Sequence, residues 1–583
     1  MTGDNEHNEK SLNRASACKM DRGDLLFAGQ WIYLSPDSVN YCFRQWRMTT
    51  MRLWSCFQDH EGRERLKQKI MNEWGTSLFC IFLAIFSFIL LRKGIDLPVS
   101  LLIPVSGIIA ALCCSWKGRA VYLLFLGCVT CFERHFILHY GEGFREIGTQ
   151  ALITLHITDR DEILAYLSMF KLVEYLLPLL FLFGIILQIR MRQGAILPRK
   201  SCIGGWCAGV SLILLALCQA WRPVGDYLEN WKHHKEFYLA REQFRFNSKA
   251  TQPDSRMVCV LVIGESHRKK EFDELVLGGD RAPTLKAARE RGELWEFDDM
   301  ISHYQQTWFS VFTLLTRRGG ETQDVMWKEK GLAALFKEAG FRTYYLTYQK
   351  KTPSTIGYDC VVNEADVYFN HRESSGTKFD HGMLPELDRI LKKNEKKVLV
   401  IIKMVGVHFN YQSRHPSDFT PFKPCYTSEK VEYRLADKLL LENTYRNAMY
   451  YNATFFNELF QRVSGNTSPS FMIFLSDHGV VNFDDGKNPF FGAAKSNFHI
   501  PCFIYGNDTF RKQLPAEKSQ ALTSHKTMPV SNTYIFETMA SLAGIIYPGR
   551  RDSLDLSSPN ALPAKDRPAW VWKKKMRYDE LNP

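Results

Sequence analysis

The apolar residues of this chain follow two different patterns. Up to residue 220 they collect in five runs, Gly75–Leu91, Leu97–Ser115, Val121–Ile137, Val173–Ile189 and Ile203–Ala220, each close to the roughly 20 residues that a helix needs to cross a bilayer. From Met257 onward the runs are short and β-rich, and they alternate with helical periodicity. The predicted order is strand Val258–Ile263, helix Gly331–Ala339, strand Thr343–Thr347, helix Met383–Lys392, strand Val398–Ile402, helix Glu442–Phe460, strand Phe471–Leu475 and strand Ile500–Tyr505. Such alternation predicts an α/β domain with a largely parallel central sheet. The expected organisation is a polar, basic tail at 1–74, a five-span α-helical transmembrane domain at 75–222 with an external loop at 138–172, a linker helix at 223–250, and the α/β domain at 251–583. The aromatic and basic stretch Asp226–Phe246 suits a helix on the membrane surface and equally a solvated linker. Pro253 marks the boundary behind it.

Charge placement orients the spans. Arg44, Arg47, Arg52, Arg63, Arg65, Lys67 and Lys69 precede the first span, Lys117 and Arg119 join the second to the third, and Arg190, Arg192, Arg199 and Lys200 join the fourth to the fifth. These basic segments belong on the cytoplasmic side, so an odd number of spans sends everything after Arg222 to the opposite face. The expected setting is a bacterial inner membrane with a cytoplasmic N-terminus and an exported α/β domain. The late first span reads as an uncleaved anchor, since residues 1–74 are polar and no cleavable signal is evident. The net charge of +12 is accounted for by these cytoplasmic loops, which removes the main argument for nucleic-acid binding. Of the 15 cysteines, Cys259, Cys360, Cys425 and Cys502 fall in the exported part, where disulfides are permitted. None of these four forms a CxxC pair that would suggest a structural metal.

Two short phrases carry the candidate chemistry. Gly264-Glu265-Ser266 follows the run Val258–Ile263, and Ser476-Asp477-His478-Gly479 follows Phe471–Leu475. Both set carboxylate or imidazole groups at the end of a buried strand, where open α/β sheets build their sites. Glu265, Asp477 and His478 are donors of the kind that zinc or manganese takes, and three protein ligands with one open position is the catalytic pattern. Thr307, in Tyr304-Gln305-Gln306-Thr307-Trp308-Phe309-Ser310, stands ahead of a helical run Val311–Arg317. A hydroxyl there serves as an ordinary helix cap; beside a metal it can become an alkoxide nucleophile, with Ser302 and Ser310 as competitors for the role.

In order along the chain, Gly264-Glu265-Ser266-His267-Arg268, the pre-helical Thr307, Gly406-Val407-His408 leading to Tyr411-Gln412-Ser413-Arg414-His415-Pro416, Phe422-Lys423-Pro424-Cys425, Tyr445-Arg446-Asn447, Ser476-Asp477-His478-Gly479 and His499-Ile500-Pro501 resemble the motifs of the bacterial phosphoethanolamine transferases. These are membrane-anchored members of the alkaline phosphatase and sulfatase superfamily. The resemblance implies a zinc site of Glu265, Thr307, Asp477 and His478, with Thr307 as the nucleophile that carries phosphoethanolamine. It assigns His408 and His499 to the transferred phosphate, to a second zinc, or to proton donation to the leaving group. Thr154, Thr158 and Glu162, at helical i, i+4 and i+8 spacing, match the positions with which the family grips the ethanolamine head group, although the first is Thr where the family has Asn. The implied donor is phosphatidylethanolamine, and the implied acceptor is lipopolysaccharide or another envelope glycan.

The chain departs from the family pattern at Gln306, where Gly usually precedes the nucleophile, at Val480, where an acidic residue often follows Ser-Asp-His-Gly, and in its smaller number of exported cysteines. Arg268, Lys269 and Lys270 suit either anionic lipid or a solvated turn. Two other readings share the motifs: a glycerophosphotransferase of the lipoteichoic-acid-synthase type, and a catalytically inactive membrane scaffold. A true sulfatase, a third competitor, is disfavoured by the absence of Cys or Ser followed by Pro and Arg around Thr307.

Overall fold

The computed structural model describes residues 60–91, 100–140, 172–191, 221–229 and, with short gaps, 237–582, together with isolated positions between them. The chain divides into two compact units, Met1–Trp74 and Gly75–Pro583. Helix α1 (His60–Leu91), α2 (Leu102–Cys113), α3 (Trp116–Tyr140) and α4 (Leu172–Met191) form the apolar part. Among the described residues, three segments are long and apolar enough to cross a membrane: Trp74–Leu91, Trp116–Leu138 and Glu174–Met191. The expected count of five is not met among the described residues. The second apolar run yields only α2, whose 12 residues reach about 18 Å at 1.5 Å per residue, against a core of roughly 30 Å. It stops where Cys114 turns extended (φ −96, ψ 144). The expected fifth run, Ile203–Ala220, lies largely outside the described residues.

The second part is built on a seven-stranded sheet. Its strands are β1 (Met257–Gly264), β2 (Leu294–Glu296), β3 (Arg342–Thr347), β4 (Val367–Asn370), β5 (Lys397–Lys403), β6 (Ser470–Ser476) and β7 (Cys502–Gly506), in the spatial order β2-β7-β6-β1-β5-β3-β4. The run β6-β1-β5-β3-β4 is parallel throughout, whereas β7 pairs antiparallel with both β6 and β2. The sheet is therefore mixed, and the reversed strand is the one predicted at Ile500–Tyr505. Two short edge strands, β2 and β4, were not expected; with three and four residues they are too brief to show a period of two.

Burial explains why the central strands read as unbroken apolar runs. Cys259, Leu261 and Ile263 of β1 enter one core with α5 (Thr307–Leu315) and α6 (Leu332–Glu338). Val258, Val260 and Val262 enter the other, with α7 (Leu384–Lys392) and α8 (Lys438–Ser464). A strand covered on both faces has no polar side to expose. The linker contributes to the first core: Phe246 is buried there, Phe237 and Phe244 pack against it, and Arg241 pairs with Glu364. Phe237, Phe244 and Phe246 thus cover the sheet domain.

Cys259, Cys360, Cys425 and Cys502 are all free thiols. Burial raises the Cys259 and Cys502 thiols well above the ordinary range, which suppresses the reactive thiolate. Ellman titration of the native protein is expected to leave both unmodified at pH 8. In denaturant they are expected to react at the rate of ordinary cysteines.

Candidate metal centre and nucleophile

Three adjacent strands end at the site. β1 delivers Glu265, its neighbour β6 delivers Asp477 and His478, and its other neighbour β5 ends in Lys403, which stands opposite Ile263 in the register. Ligand donors of Glu265, Asp477 and His478 all lie within 4.8 Å of one another, and all three residues are buried. The turns are held locally. Ser266 adopts a left-handed conformation (φ 63), which lets its backbone N–H donate to Asp477 Oδ1 at 3.1 Å. The His478 N–H donates to the same oxygen at 2.7 Å. Asp477 Oδ1 is thereby occupied, while the buried Asp477 Oδ2 accepts no hydrogen bond.

The donors are oriented for a cation. His478 Nδ1–H donates to the Gly479 carbonyl at 2.7 Å, which leaves the Nε2 lone pair facing the cluster, as in metal-ligating histidines. Nε2 lies 3.5 Å from Glu265 Oε1 and 3.7 Å from Asp477 Oδ2. Burial works against the Glu265 charge, but Lys403, His408 and His478 together hold its carboxyl well below the usual range. Burial and the neighbouring Glu265 carboxylate raise that of Asp477. A buried carboxylate oxygen that accepts no hydrogen bond, with the Lys403 ammonium 3.4 Å away and facing a second carboxylate and a bare imidazole nitrogen, fits a divalent ion.

Thr307 is the first residue of α5, and its half-buried hydroxyl lies against this cluster. Oγ1 donates to Glu265 Oε2 at 3.1 Å and is 3.3 Å from His478 Nε2. The competing serines are committed elsewhere. Ser310 donates to the Asp477 carbonyl, Ser302 and Ser310 share a hydrogen bond of 2.9 Å, and Asn532 Nδ2 donates to Ser310 Oγ at 3.1 Å. This chain of polar contacts fastens α5 to the Asp477 turn, so Ser302 and Ser310 position the nucleophile's helix. The role of Asn532 was not evident from its neighbours in sequence.

His408 comes to the site on a strapped loop. The Val405 and Gly406 N–H groups donate to Asp380 at 2.8 and 2.9 Å, and the Val407 N–H donates to the Glu265 carbonyl at 3.1 Å. Gly406 has φ +49, and a Cβ there would come within 2.7 Å of the Glu265 carbonyl oxygen; only glycine permits the approach. Burial pushes the His408 imidazole down to about 4, with Glu265 opposing, so the ring is neutral near pH 7. His499 faces elsewhere. Its Nε2–H donates to the Asp298 carbonyl at 2.8 Å, and the charges acting on it are Lys269, Asp299 and Arg567. Thr154, Thr158 and Glu162 lie outside the described residues.

The basic triplet after Glu265 is largely structural. Arg268 is buried and pairs with Asp484 at 2.8 Å and Glu271 at 3.2 Å, and Lys269 pairs with Asp273. Val480, in place of an acidic residue, is buried in the apolar core. The adjacent Gly479 is tightly confined, since a Cβ there would lie 2.1 Å from the Ser496 carbonyl oxygen. Gly479→Ala is expected to lower stability by about 3 kcal/mol through this overpacking, as a drop in the thermal midpoint.

The participant least expected from sequence is Lys403. It is fully buried, and its Nζ donates to Glu265 Oε2 at 2.7 Å and to the Met404 carbonyl at 3.2 Å, with Asp477 Oδ2 at 3.4 Å. Burial opposes its charge, but Asp477 and Glu265 outweigh that and raise the ammonium above its ordinary value.

Residues 258–545 match the sulfatase family model. A phosphoethanolamine transferase EptC from Escherichia coli is 24% identical over 323 residues, 54% of each chain. The match thus spans about half the length of that relative. The solved integral membrane lipooligosaccharide phosphoethanolamine transferase A from Neisseria meningitidis superposes with a TM-score of 0.58 at 16% identity, covering 82% of this chain and 98% of that one. The C-terminal periplasmic domain of EptC from Escherichia coli, solved in complex with Zn, gives 0.50 at 21% identity, covering 57% and 96%. These likenesses establish the fold.

Proposed function

We propose that this sulfatase-family domain belongs to a membrane-anchored phosphotransferase of the bacterial inner membrane. It moves phosphoethanolamine from phosphatidylethanolamine to lipopolysaccharide or a related envelope glycan, through a phosphoethanolamine-threonine intermediate on Thr307. The observation that carries the reading is the position of the Thr307 hydroxyl, on a helix N-terminus and within 3.3 Å of both Glu265 and His478. The exported domain is assigned to 251–583, behind the membrane segments, and the linker at 223–250 connects the two. The relatives' names, phosphoethanolamine transferase and lipooligosaccharide phosphoethanolamine transferase, agree with the chemistry of the cluster.

In this reading Glu265, Asp477, His478 and Thr307 hold zinc. The bound ion would supply positive charge to the Thr307 oxygen and to the non-bridging phosphate oxygens. The chain's own groups do the rest. The hydrogen bond from Thr307 Oγ1 to Glu265 Oε2 orients the hydroxyl oxygen toward the cluster, and its proton would leave to solvent. The N–H groups of the first turn of α5, which have no acceptor within the helix, favour an anionic phosphate beside Thr307. His408, neutral at pH 7, donates an N–H hydrogen bond to the phosphate or to the leaving oxygen, whose proton comes from solvent; His499 would join it only by releasing the Asp298 carbonyl, and Thr154, Thr158 and Glu162 are assigned to the ethanolamine head group. Diacylglycerol leaves in the first half-reaction, and an acceptor oxygen takes the group from Thr307 in the second.

The test is intact mass spectrometry of envelope glycolipids from cells with and without the protein. One glycolipid is expected to gain a phosphoethanolamine increment only when the protein is present. An unchanged glycolipid profile, or transfer of glycerophosphate instead, defeats the proposal.

A further inference from the structure

We propose that Lys403 is a cation built into the site, supplying the positive charge that a second metal ion would otherwise bring, so that the centre takes one divalent ion. The inference rests on the reading of Glu265, Asp477, His478 and Thr307 as a divalent-ion site, and extends it to the number of ions.

Three observations support it. First, the ammonium is fixed in place. Lys403 ends β5, an interior strand paired on both sides, opposite Ile263 and Thr347. Its side chain is wholly buried. An ammonium has three donors, and oxygens of Glu265, Asp477 and Met404 stand at 2.7, 3.4 and 3.2 Å from Nζ.

Second, the charges balance. Glu265, Asp477 and a Thr307 alkoxide together carry three negative charges, and one divalent ion leaves one of them uncompensated. Lys403 supplies the remaining positive charge. A second divalent ion would make the buried cluster net positive before substrate arrives, at a cost that low-dielectric surroundings increase.

Third, donors for another ion do not converge. Among the described residues the only group of three such side chains is Glu265, Asp477 and His478. His499 has committed Nε2 to the Asp298 carbonyl. Among the described residues, the second zinc expected near His408 and His499 therefore finds no group of three His, Cys, Asp or Glu donors.

The experiment uses the full chain in detergent, stripped of metal and titrated with zinc chloride. Bound zinc is counted by native mass spectrometry, and affinity is read by competition with a chromophoric chelator. The parent is expected to take one zinc at this site and to gain no second ion that His408→Ala removes. Lys403→Met removes a positive charge from atoms the ion shares, and is expected to bind zinc at least about tenfold more tightly. Lys403→His, which offers a neutral imidazole, is expected to admit a second ion. A parent that loads two ions, the second lost in His408→Ala, overturns the proposal without need of any Lys403 variant. A folded Lys403→Met variant that binds zinc no more tightly than the parent also overturns it, because the lysine would then only orient the carboxylates. A parent that retains no divalent ion defeats the metal reading itself, a separate outcome.

Discussion

Thr307→Ala is expected to reduce phosphoethanolamine transfer by at least about 10³-fold, the scale on which removal of a covalent nucleophile acts, while leaving the fold and the zinc content nearly intact. The hydroxyl's recorded partners are Glu265 and His478. It does not cap α5: the cap position is Gln306, and no side-chain capping bond is present there. Its loss should therefore cost under about 1 kcal/mol of stability. Glu265, Asp477 and His478 remain to hold the ion, and this separates a chemical defect from a binding defect. Turnover of labelled phosphatidylethanolamine measures the loss, and tryptic mass spectrometry of the parent, quenched without acceptor, should locate the adduct on the peptide containing Thr307. Thr307→Ser keeps an oxygen in place and should recover part of the rate. Parental turnover in Thr307→Ala would rule out the covalent route.

Three of the four candidate ligands were legible because of where they stand. β1 and β6 are buried on both faces, so each reads as an apolar run that ends abruptly in chemistry-bearing residues: Glu265 after Ile263-Gly264, and Asp477-His478 after Leu475-Ser476. Lys403 stands in the same geometric position at the end of β5, yet in sequence it looks like a lysine closing an apolar strand at the surface. Only the register, which sets it opposite Ile263 and beside Glu265, reveals its role. Local patterns carry no register between strands 140 residues apart, and the same limit hid Asn532.

The reversed strand was hidden for a different reason. An apolar run reads alike in either direction, so Cys502–Gly506 gave no hint that β7 opposes β6. The connection did contain a signal. Parallel neighbours need a crossover, usually helical, and residues 479–501 carry Gly, Asn, Asp and Pro with no helical period. Reversal also brings the beginning of β7 to the same sheet end as Asp477, with the Gly479 N–H donating to the Asn497 carbonyl at 2.8 Å. That places the His499 backbone near the site although its side chain turns toward Asp298.

Asp477→Asn should separate the two oxygens of that carboxylate and so the two tasks they perform. Oδ1 accepts the N–H groups of Ser266 and His478 and shapes both ligand-bearing turns. Oδ2 has no hydrogen bond and faces His478 Nε2 at 3.7 Å and Lys403 Nζ at 3.4 Å. Asparagine can keep its carbonyl at the first position, which preserves the turns, but then presents an NH₂ group at the second. An amide nitrogen offers the ion no free lone pair, and it sets two donors against the Lys403 ammonium. Zinc affinity is expected to fall about 100-fold or more, the upper end of what altering the shell around a metal costs, and transfer to fall with it. Equilibrium dialysis with metal analysis gives the first quantity, and labelled-donor turnover at saturating zinc the second. The thermal midpoint of the zinc-free variant should stay within a few degrees of the zinc-free parent, because the hydrogen bonds at Oδ1 survive. If the variant instead kept parental zinc affinity, Oδ2 could not be a ligand, and the grouping of Glu265, Asp477 and His478 around one ion would have to be abandoned.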